Sequence, residues 1–239
     1  MRKLLLFFAF FAAIAAYSSQ LYVANIYNNT INIIDTNTNT IIATMPISNQ
    51  PQEFAFTPDG KEVYITQHNS NTVSVIDTST RKIINIITVG HRPEGIAITP
   101  DGSKAYVANN YYLDNTVSVI DISTKKVKKT INVGNWPTDI VITPDGSKVY
   151  VTNMGSHTVS VLDTNKDIVT TTINVGDYPN GLAITPDGSK IYVANAGSDT
   201  VSVINPTTNN VVATINVGDN PLCITISPDG SKAYVTNYR

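Results

Sequence analysis

Short stretches in which apolar and polar residues alternate run through most of this chain, and they come in groups of four. In the unit 93–134, these stretches cover residues 95–99, 104–108, 116–121 and 127–133. They are rich in Val, Ile, Thr and Tyr, which favour β-strands. An Asp-Gly pair between the first two supplies the positive φ that a tight hairpin needs. The pattern therefore predicts four antiparallel strands, A to D, and no helical period.

The same unit returns about every 42 residues. The turn Thr-Pro-Asp-Gly starts at Thr57, Thr99, Thr143 and Thr185, and becomes Ser-Pro-Asp-Gly at Ser227, in steps of 42, 44, 42 and 42 residues. Four complete units follow from this spacing, at 51–90, 93–134, 137–176 and 179–218. Four-stranded units of about 40–45 residues are typical of propeller blades. The sequence predicts an all-β fold, a β-propeller of four-stranded antiparallel blades over residues 19–239.

The two ends of the repeat array are incomplete. Residues 21–47 supply strands B, C and D, whereas residues 221–237 supply an A strand and one further B strand. We expect them to join as one split blade, which gives about five blades and hides the sheet edges. The extra B strand competes with residues 21–25 for the same position. The alternative is a truncated part of a longer propeller.

Several repeated motifs carry a family resemblance. They are Tyr-Val-Thr-Asn at 150–153, the Val-Ser-Val-Ile-Asp segments, the Ile-Asn-Val-Gly runs and the Pro-Asp-Gly turns. Together they resemble the YVTN β-propeller repeat family, known from surface-layer and exported proteins of archaea and bacteria. The resemblance covers all the repeats and implies a propeller, usually of seven blades in that family. These motifs form scaffold, so the resemblance implies no particular chemistry.

The N-terminus has the layout of a secretory signal peptide. Arg2 and Lys3 precede an apolar run of 13 residues at 4–16, and small residues follow it. We expect a signal peptide at 1–18, cleaved after Ala15 or Ser18, and a secreted, periplasmic or cell-surface protein with no membrane insertion after cleavage. An uncleaved anchor is the alternative, although a membrane span needs about 20 apolar residues.

Charge and cysteine content narrow the classes of partner. The formal net charge is −2, only 14% of residues are charged, and no basic run occurs. Nucleic acid is therefore not an expected partner, because phosphate binding requires clustered Lys and Arg. Cys223 is the single cysteine, so no intrachain disulfide can form, and we interpret it as a small buried apolar residue. Lysines after the Asp-Gly turns, such as Lys104 and Lys148, are expected to be solvated.

Strand order predicts that the B–C loops and the D–A links lie on one face of the propeller, here called the B–C/D–A face. Variation between units and most of the rare residues collect there. Aromatic and histidine side chains on loops of a rigid scaffold are typical of binding surfaces. The candidate ligand-binding residues are His68, His91, Arg92, Tyr111, Tyr112, Trp136, Met154, His157 and Tyr178. Chance drift of loop residues is the alternative interpretation.

The residues show no catalytic set and no metal or cofactor motif. The three histidines lie on different repeats without ligand spacing, although His68 and His91 could meet from adjacent loops. The first function hypothesis is a non-catalytic secreted or envelope module that binds an extracellular or envelope protein or glycan, or has a structural surface role. The second is an exported lactonase-like enzyme, or a quinone- or haem-related cofactor-binding protein. Its site would be at the channel mouth, starting from His68, His91 and Arg92.

Overall fold

The computed structural model describes residues 20–238, which form six antiparallel sheets. The predicted signal peptide at 1–18 lies outside the described residues. Within 20–238, no helix is both long enough and apolar enough to cross a membrane.

The sheets are called blades 1 to 6 in chain order. Blade 1 has three strands, β1 (Gln20–Asn25), β2 (Thr30–Asp35) and β3 (Thr40–Pro46). Blade 2 consists of β4 (Pro51–Phe56), β5 (Glu62–Gln67), β6 (Thr72–Asp77) and β7 (Lys82–Thr88). Blade 3 consists of β8 (Pro93–Ile98), β9 (Lys104–Asn109), β10 (Thr116–Asp121) and β11 (Lys126–Asn132).

The later blades repeat this plan. Blade 4 consists of β12 (Pro137–Ile142), β13 (Lys148–Asn153), β14 (Thr158–Asp163) and β15 (Ile168–Asn174), with a 3-10 helix at Met154–Ser156. Blade 5 consists of β16 (Pro179–Ile184), β17 (Ile191–Asn195), β18 (Thr200–Asn205) and β19 (Asn210–Asn216). Blade 6 has two strands, β20 (Pro221–Ile226) and β21 (Ala233–Asn237). The predicted all-β propeller is confirmed.

Local sequence explains the regularity of the blades. In blade 3, Gly102 takes a φ of +70° at the A–B turn, as the Asp-Gly pattern predicts. The C–D pairing of that blade is interrupted between Val119 and Ile120 by a bulge, which increases the twist of the sheet. Blades 1, 2, 4 and 5 carry the same irregularity. The shared bulge gives successive blades one common shape.

The core lies between the blades. The innermost strands β4, β8, β12, β16 and β20 lie side by side around the axis. At the junction of blades 3 and 4, Tyr106 and Val119 pack against Ile140 and Val149. The strand-B tyrosines Tyr64, Tyr106 and Tyr150 are completely buried in such junctions. Each of blades 1 to 5 is therefore stabilised by the blade that follows it.

Polar side chains also tie neighbouring blades together. Asp167, in the C–D turn of blade 4, accepts a hydrogen bond from the Tyr106 hydroxyl at 2.6 Å and ion-pairs with Lys104 and Lys128 at 3.0 Å. Between blades 4 and 5, Asn209 takes the same role for Tyr150 at 2.7 Å. The expectation that Lys104 is solvated was wrong, because Asp167 holds its ammonium group and the Lys104 side chain is only 17% exposed.

The end segments do not form the split blade that the sequence predicted. Strand β20 pairs with β21, with Cys223 opposite Thr236, while β1 to β3 form a sheet of their own. A hairpin between sequence neighbours closes a short loop, which costs less conformational entropy than joining ends some 200 residues apart. The extra B strand therefore occupies the position expected for residues 21–25. Its Tyr234 is 56% exposed, whereas Tyr150 is fully buried.

Candidate functional site

One hydrogen bond, repeated from blade to blade, builds the B–C/D–A face. One residue in each D–A link adopts a left-handed backbone with φ between 50° and 58°, at Gln50, Arg92, Trp136, Tyr178 and Asn220. Its backbone N–H donates to the side chain just before strand C, at distances of 2.7–3.0 Å. The acceptors are Asn29, Asn71, Asn115, His157 and Asp199. This bond fixes each D–A link against a B–C loop, on the face where the sequence placed them.

Four of the predicted binding residues line one pocket at the junction of blades 3, 4 and 5. The pocket has a volume of about 310 Å³ and is lined by Tyr112, Asn135, Trp136, Gly155, His157 and Tyr178. The aromatic walls reach into solvent, since Tyr112 is 60% exposed, Trp136 39% and Tyr178 49%. We call this cavity the aromatic pocket.

Two glycines support the rings of the aromatic pocket. A Cβ at Gly155 would lie 3.1 Å from the Trp136 ring, and a Cβ at Gly197 would lie 2.5 Å from the Tyr178 ring. The His157 imidazole meets the Tyr178 ring edge-on, with centroids 5.0 Å apart at 89°. His157 Nδ1 accepts the Tyr178 N–H at 3.0 Å and lies 3.7 Å from the Asp177 carboxylate. These contacts therefore fix the inner faces of the rings, while their outer faces are exposed to solvent.

Three further predicted residues extend the aromatic pocket toward blade 2. The Tyr111 and Tyr112 rings lie 4.6 Å apart, and the His91 ring lies 5.3 Å from that of Tyr111. Arg92 lies over the Tyr111 ring at 5.4 Å, within cation–π range. Burial favours the neutral carboxyl of Asp114, but hydrogen bonds from His91 outweigh it and lower the pKa of Asp114. Seven of the nine candidates therefore form one continuous surface.

The structure does not bring Met154 and His68 into that surface. Met154 is only 8% exposed because the 3-10 helix turns its side chain inward. His68 has a side chain that is 13% exposed and lies 3.8 Å from Glu94, and burial lowers its pKa. Sequence reasoning also missed Asn135 and Gly155 as pocket residues. The sequence carries one signal for this site. In blades 4 and 5 the B–C loop contains a glycine, and the D–A link that leads into the same blade contains an aromatic residue.

A second group of polar residues lies on the innermost strands. Glu53 accepts the backbone N–H of Ile96 at 3.0 Å, and Asp139 accepts that of Leu182 at 2.7 Å. A glycine, Gly95 or Gly181, directly precedes each of these two donors. There a Cβ would lie 2.6 or 2.5 Å from a carbonyl oxygen of the next strand. The glycines let adjacent innermost strands approach closely.

The carboxyl groups on the innermost strands have raised pKa values, which favour their neutral forms. Burial raises the pKa of Glu94 to about 8 and that of Asp139 to about 6. Burial and the nearby charge of Asp139 raise the pKa of Glu53. The same two influences, burial first, raise the pKa of Cys223 to about 12, so its sulfur is a thiol and not a nucleophilic thiolate. Residues 20–238 contain no group of three or more His, Cys, Asp or Glu side chains arranged to hold a metal ion.

Known structures share this fold. The "Kuenenia stuttgartiensis Hydrazine Synthase" superimposes with a TM-score of 0.68 at 22% identity, over 92% of this chain and 90% of that one. A functionally unknown protein from Desulfotomaculum acetoxidans DSM 771 superimposes with a TM-score of 0.84 at 21% identity, over 92% of this chain and 73% of that one. Identities this low establish shared architecture alone. No curated protein matches this chain.

The repeats also match a family described from sequence. The YNCE-like beta-propeller model covers residues 8–102 and 143–239, which is well over half of the chain. That family is related to the YVTN-type propellers that the motifs resemble, but membership of the YVTN repeat family itself is not established. This chain therefore belongs to the YNCE-like β-propeller family.

Proposed function

We propose that this protein is exported and acts outside the cytoplasm as a non-catalytic binding module whose ligand surface is the aromatic pocket. The observation that carries the proposal is the meeting of Tyr112, Trp136 and Tyr178 around one cavity of about 310 Å³. Rigid scaffolds that present aromatic side chains on loops are typical of binding surfaces, and small-molecule sites are concave and mostly apolar. The signal-peptide pattern supports export.

Backbone strain supports a ligand-binding role for the aromatic rings. Trp136 and Tyr178 have φ values of 54° and 50°, where bulky residues are outliers, while the same position holds Asn220 before blade 6. Asparagine tolerates the left-handed region, so folding alone does not require an aromatic ring there. Strained residues collect at functional sites. The D–A links of blades 4 and 5 present aromatic rings despite this strain.

The second candidate function is an exported enzyme or cofactor-binding protein, and the observation behind it is a pair of titratable groups at the innermost strands. Glu94, with a pKa of about 8, can exchange a proton near neutral pH and lies 3.8 Å from His68, whose pKa is lowered by burial. Displaced pKa values of this kind are found in active sites, but also in structural clusters. This alternative requires turnover, or a cofactor bound to the purified protein, that depends on Glu94.

The experiment is a binding screen of the full chain against envelope glycans and extracellular proteins, repeated with Trp136→Asn/Tyr178→Asn. Asparagine keeps the turn conformation, so the double variant removes the rings and leaves the scaffold. Loss of a ligand in the double variant supports the proposed site, and undiminished binding contradicts it. Turnover or a copurifying cofactor that is lost in Glu94→Gln, but kept in the double variant, supports the alternative instead.

Export has its own test. N-terminal sequencing of the protein recovered outside the cytoplasm is expected to show a chain that begins after Ala15 or Ser18. A chain that retains residues 1–18 and stays in the membrane fraction supports the anchor, and recovery in the cytoplasm contradicts export.

A further inference from the structure

We infer that the aromatic pocket binds a neutral sugar ring within an oligosaccharide; this inference rests on the proposed function and names its ligand class. The lining combines three exposed aromatic side chains with the Asn135 amide and the His157 imidazole. Within the described residues 20–238, no Asp, Glu, Lys or Arg lines the pocket. A ligand that matches it has flat faces of C–H groups and an edge of uncharged hydrogen-bonding groups.

A pyranose ring has this chemistry. Its axial C–H bonds carry a small positive charge and pack against the electron-rich face of an aromatic ring, as other positive groups do. Its hydroxyl groups donate and accept hydrogen bonds, which the amide of Asn135 can reciprocate in both directions. Anionic ligands lack a partner in the pocket, because the nearby cation Arg92 lies over Tyr111. The carboxylate of Asp177, close to His157, further disfavours an anion.

The size of the surface favours a short stretch of an oligosaccharide over a folded protein. The pocket volume lies at the lower end of the range for small-molecule sites, about 300–1,000 Å³. A stable protein–protein interface instead buries about 800 Å² on each partner. Beyond the pocket, the Tyr111 ring lies 4.6 Å from Tyr112 and continues the aromatic surface toward His91. One sugar ring fits the pocket while its neighbour in the chain lies on Tyr111.

The pocket is formed before a ligand arrives, which reduces the entropy lost on binding. The backbone N–H of Trp136 donates to the Asn115 side chain at 3.0 Å, and the Trp136 ring packs against Gly155. Tyr178 is held in the same way by His157 and Gly197.

Trp136 is the single tryptophan of the chain and therefore reports directly on the pocket. We would titrate the full chain with neutral hexasaccharides of glucose, mannose and N-acetylglucosamine and follow tryptophan fluorescence. A saturable change with at least one of them is expected. Tyr112→Ala and Tyr178→Asn are each expected to weaken that affinity at least about 10-fold, with calorimetry as the second readout.

The matched control is Tyr27→Ala. Tyr27 is 71% exposed in the B–C loop of blade 1, so this variant removes an exposed tyrosine from the same face without touching the pocket. Its affinity is expected to equal that of the unchanged protein, and circular dichroism establishes that each variant is folded.

Three results overturn the inference. They are no saturable response to any neutral hexasaccharide, an affinity that Tyr112→Ala and Tyr178→Asn leave unchanged, and tighter binding of an anionic oligosaccharide such as polygalacturonate. If the binding screen finds a protein ligand that depends on Trp136 and Tyr178 while all sugars fail, the ligand class is wrong and the proposed binding module stands. If no ligand depends on those rings, both proposals fail.

Discussion

Trp136 holds a backbone conformation that asparagine tolerates and alanine does not. Its φ is 54°, and a left-handed residue with a Cβ costs about 1–2 kcal/mol unless its side chain can bond locally. Both Trp136→Asn and Trp136→Ala remove the ring and its packing on Gly155. We expect the asparagine variant to be more stable than the alanine variant by about 1 kcal/mol, measured by urea unfolding. Equal stabilities would show that the link is not strained.

His157 is the one imidazole among the five side chains that accept a backbone N–H from a D–A link. Its Nδ1 accepts the Tyr178 N–H at 3.0 Å. His157→Gly removes this acceptor and tolerates the left-handed backbone at this position, where φ is 56°. We therefore expect the Tyr178 amide to lose protection from hydrogen exchange in His157→Gly.

The chain supplies two controls for this effect. His157→Asn installs the residue found at Asn115, whose side chain accepts the equivalent N–H of Trp136, so the Tyr178 amide should keep its protection. The Trp136 amide, bonded to Asn115 at 3.0 Å, should keep its protection throughout. A Tyr178 amide that is equally protected in the unchanged protein and in His157→Gly would contradict the proposed role of Nδ1.

At the scale of elements, the C–D turn of one blade secures the strand B of the blade before it. Asp167 is 7% exposed in its side chain and binds Tyr106, Lys104 and Lys128. Asp167→Ala leaves two ammonium groups and a hydroxyl without their partner, and we expect it to lower the free energy of unfolding by about 3 kcal/mol. Asp167→Asn copies Asn209 of blade 5 and should cost about 1 kcal/mol, so a larger loss than in the alanine variant would contradict this assignment.

The stability contributed by Asp167 should also depend on pH. Burial alone would raise its pKa, but hydrogen bonds from Tyr106, Lys104 and Lys128 outweigh it and lower the pKa below its ordinary value. A carboxyl group with a lowered folded-state pKa stabilises the fold above its unfolded pKa of about 3.9, and loses that effect as the pH falls through the folded value. The difference in unfolding free energy between the unchanged protein and Asp167→Asn should therefore shrink below about pH 4.

Because the units repeat, the strands could be predicted from the sequence. The features that could not be predicted arise where one unit departs from the repeat or where residues of different blades meet. The unit 93–134 predicted four strands that the structure places at β8 to β11, because alternation and an Asp-Gly turn act locally. The burial of Met154 depends on a 3-10 helix found in the B–C loop of blade 4. The partner of Lys104 lies about 60 residues away in the next blade, where no local pattern can indicate it. The aromatic pocket likewise required the loops of three blades to be placed together.

At the scale of the whole molecule, the stability of a blade depends on its contacts with the neighbouring blades. Tyr150 is completely buried between blades 4 and 5, whereas the equivalent Tyr234 on blade 6 is 56% exposed. Ile173 of blade 4 is 6% exposed, and its equivalent on blade 5, Ile215, is 46% exposed. In repeat architectures each unit gains most of its stability from contacts with adjacent units. Identical strand sequences should then differ in local stability according to position.

Two matched substitutions distinguish the effect of a blade's position in the array from the effect of its amino-acid sequence. Tyr150→Ala removes a buried ring and its hydrogen bond to Asn209, and we expect a loss of about 3–5 kcal/mol in unfolding free energy. Tyr234→Ala removes the same residue type from the same strand position and should cost less than about 0.5 kcal/mol. Hydrogen exchange provides an independent measurement, because amides of β13 and β14 should exchange only on global unfolding and those of β21 by local opening. Similar losses for both variants, together with equal protection of β13 and β21, would show that the face of blade 6 is covered in solution. Position in the array would then not set the stability of a blade.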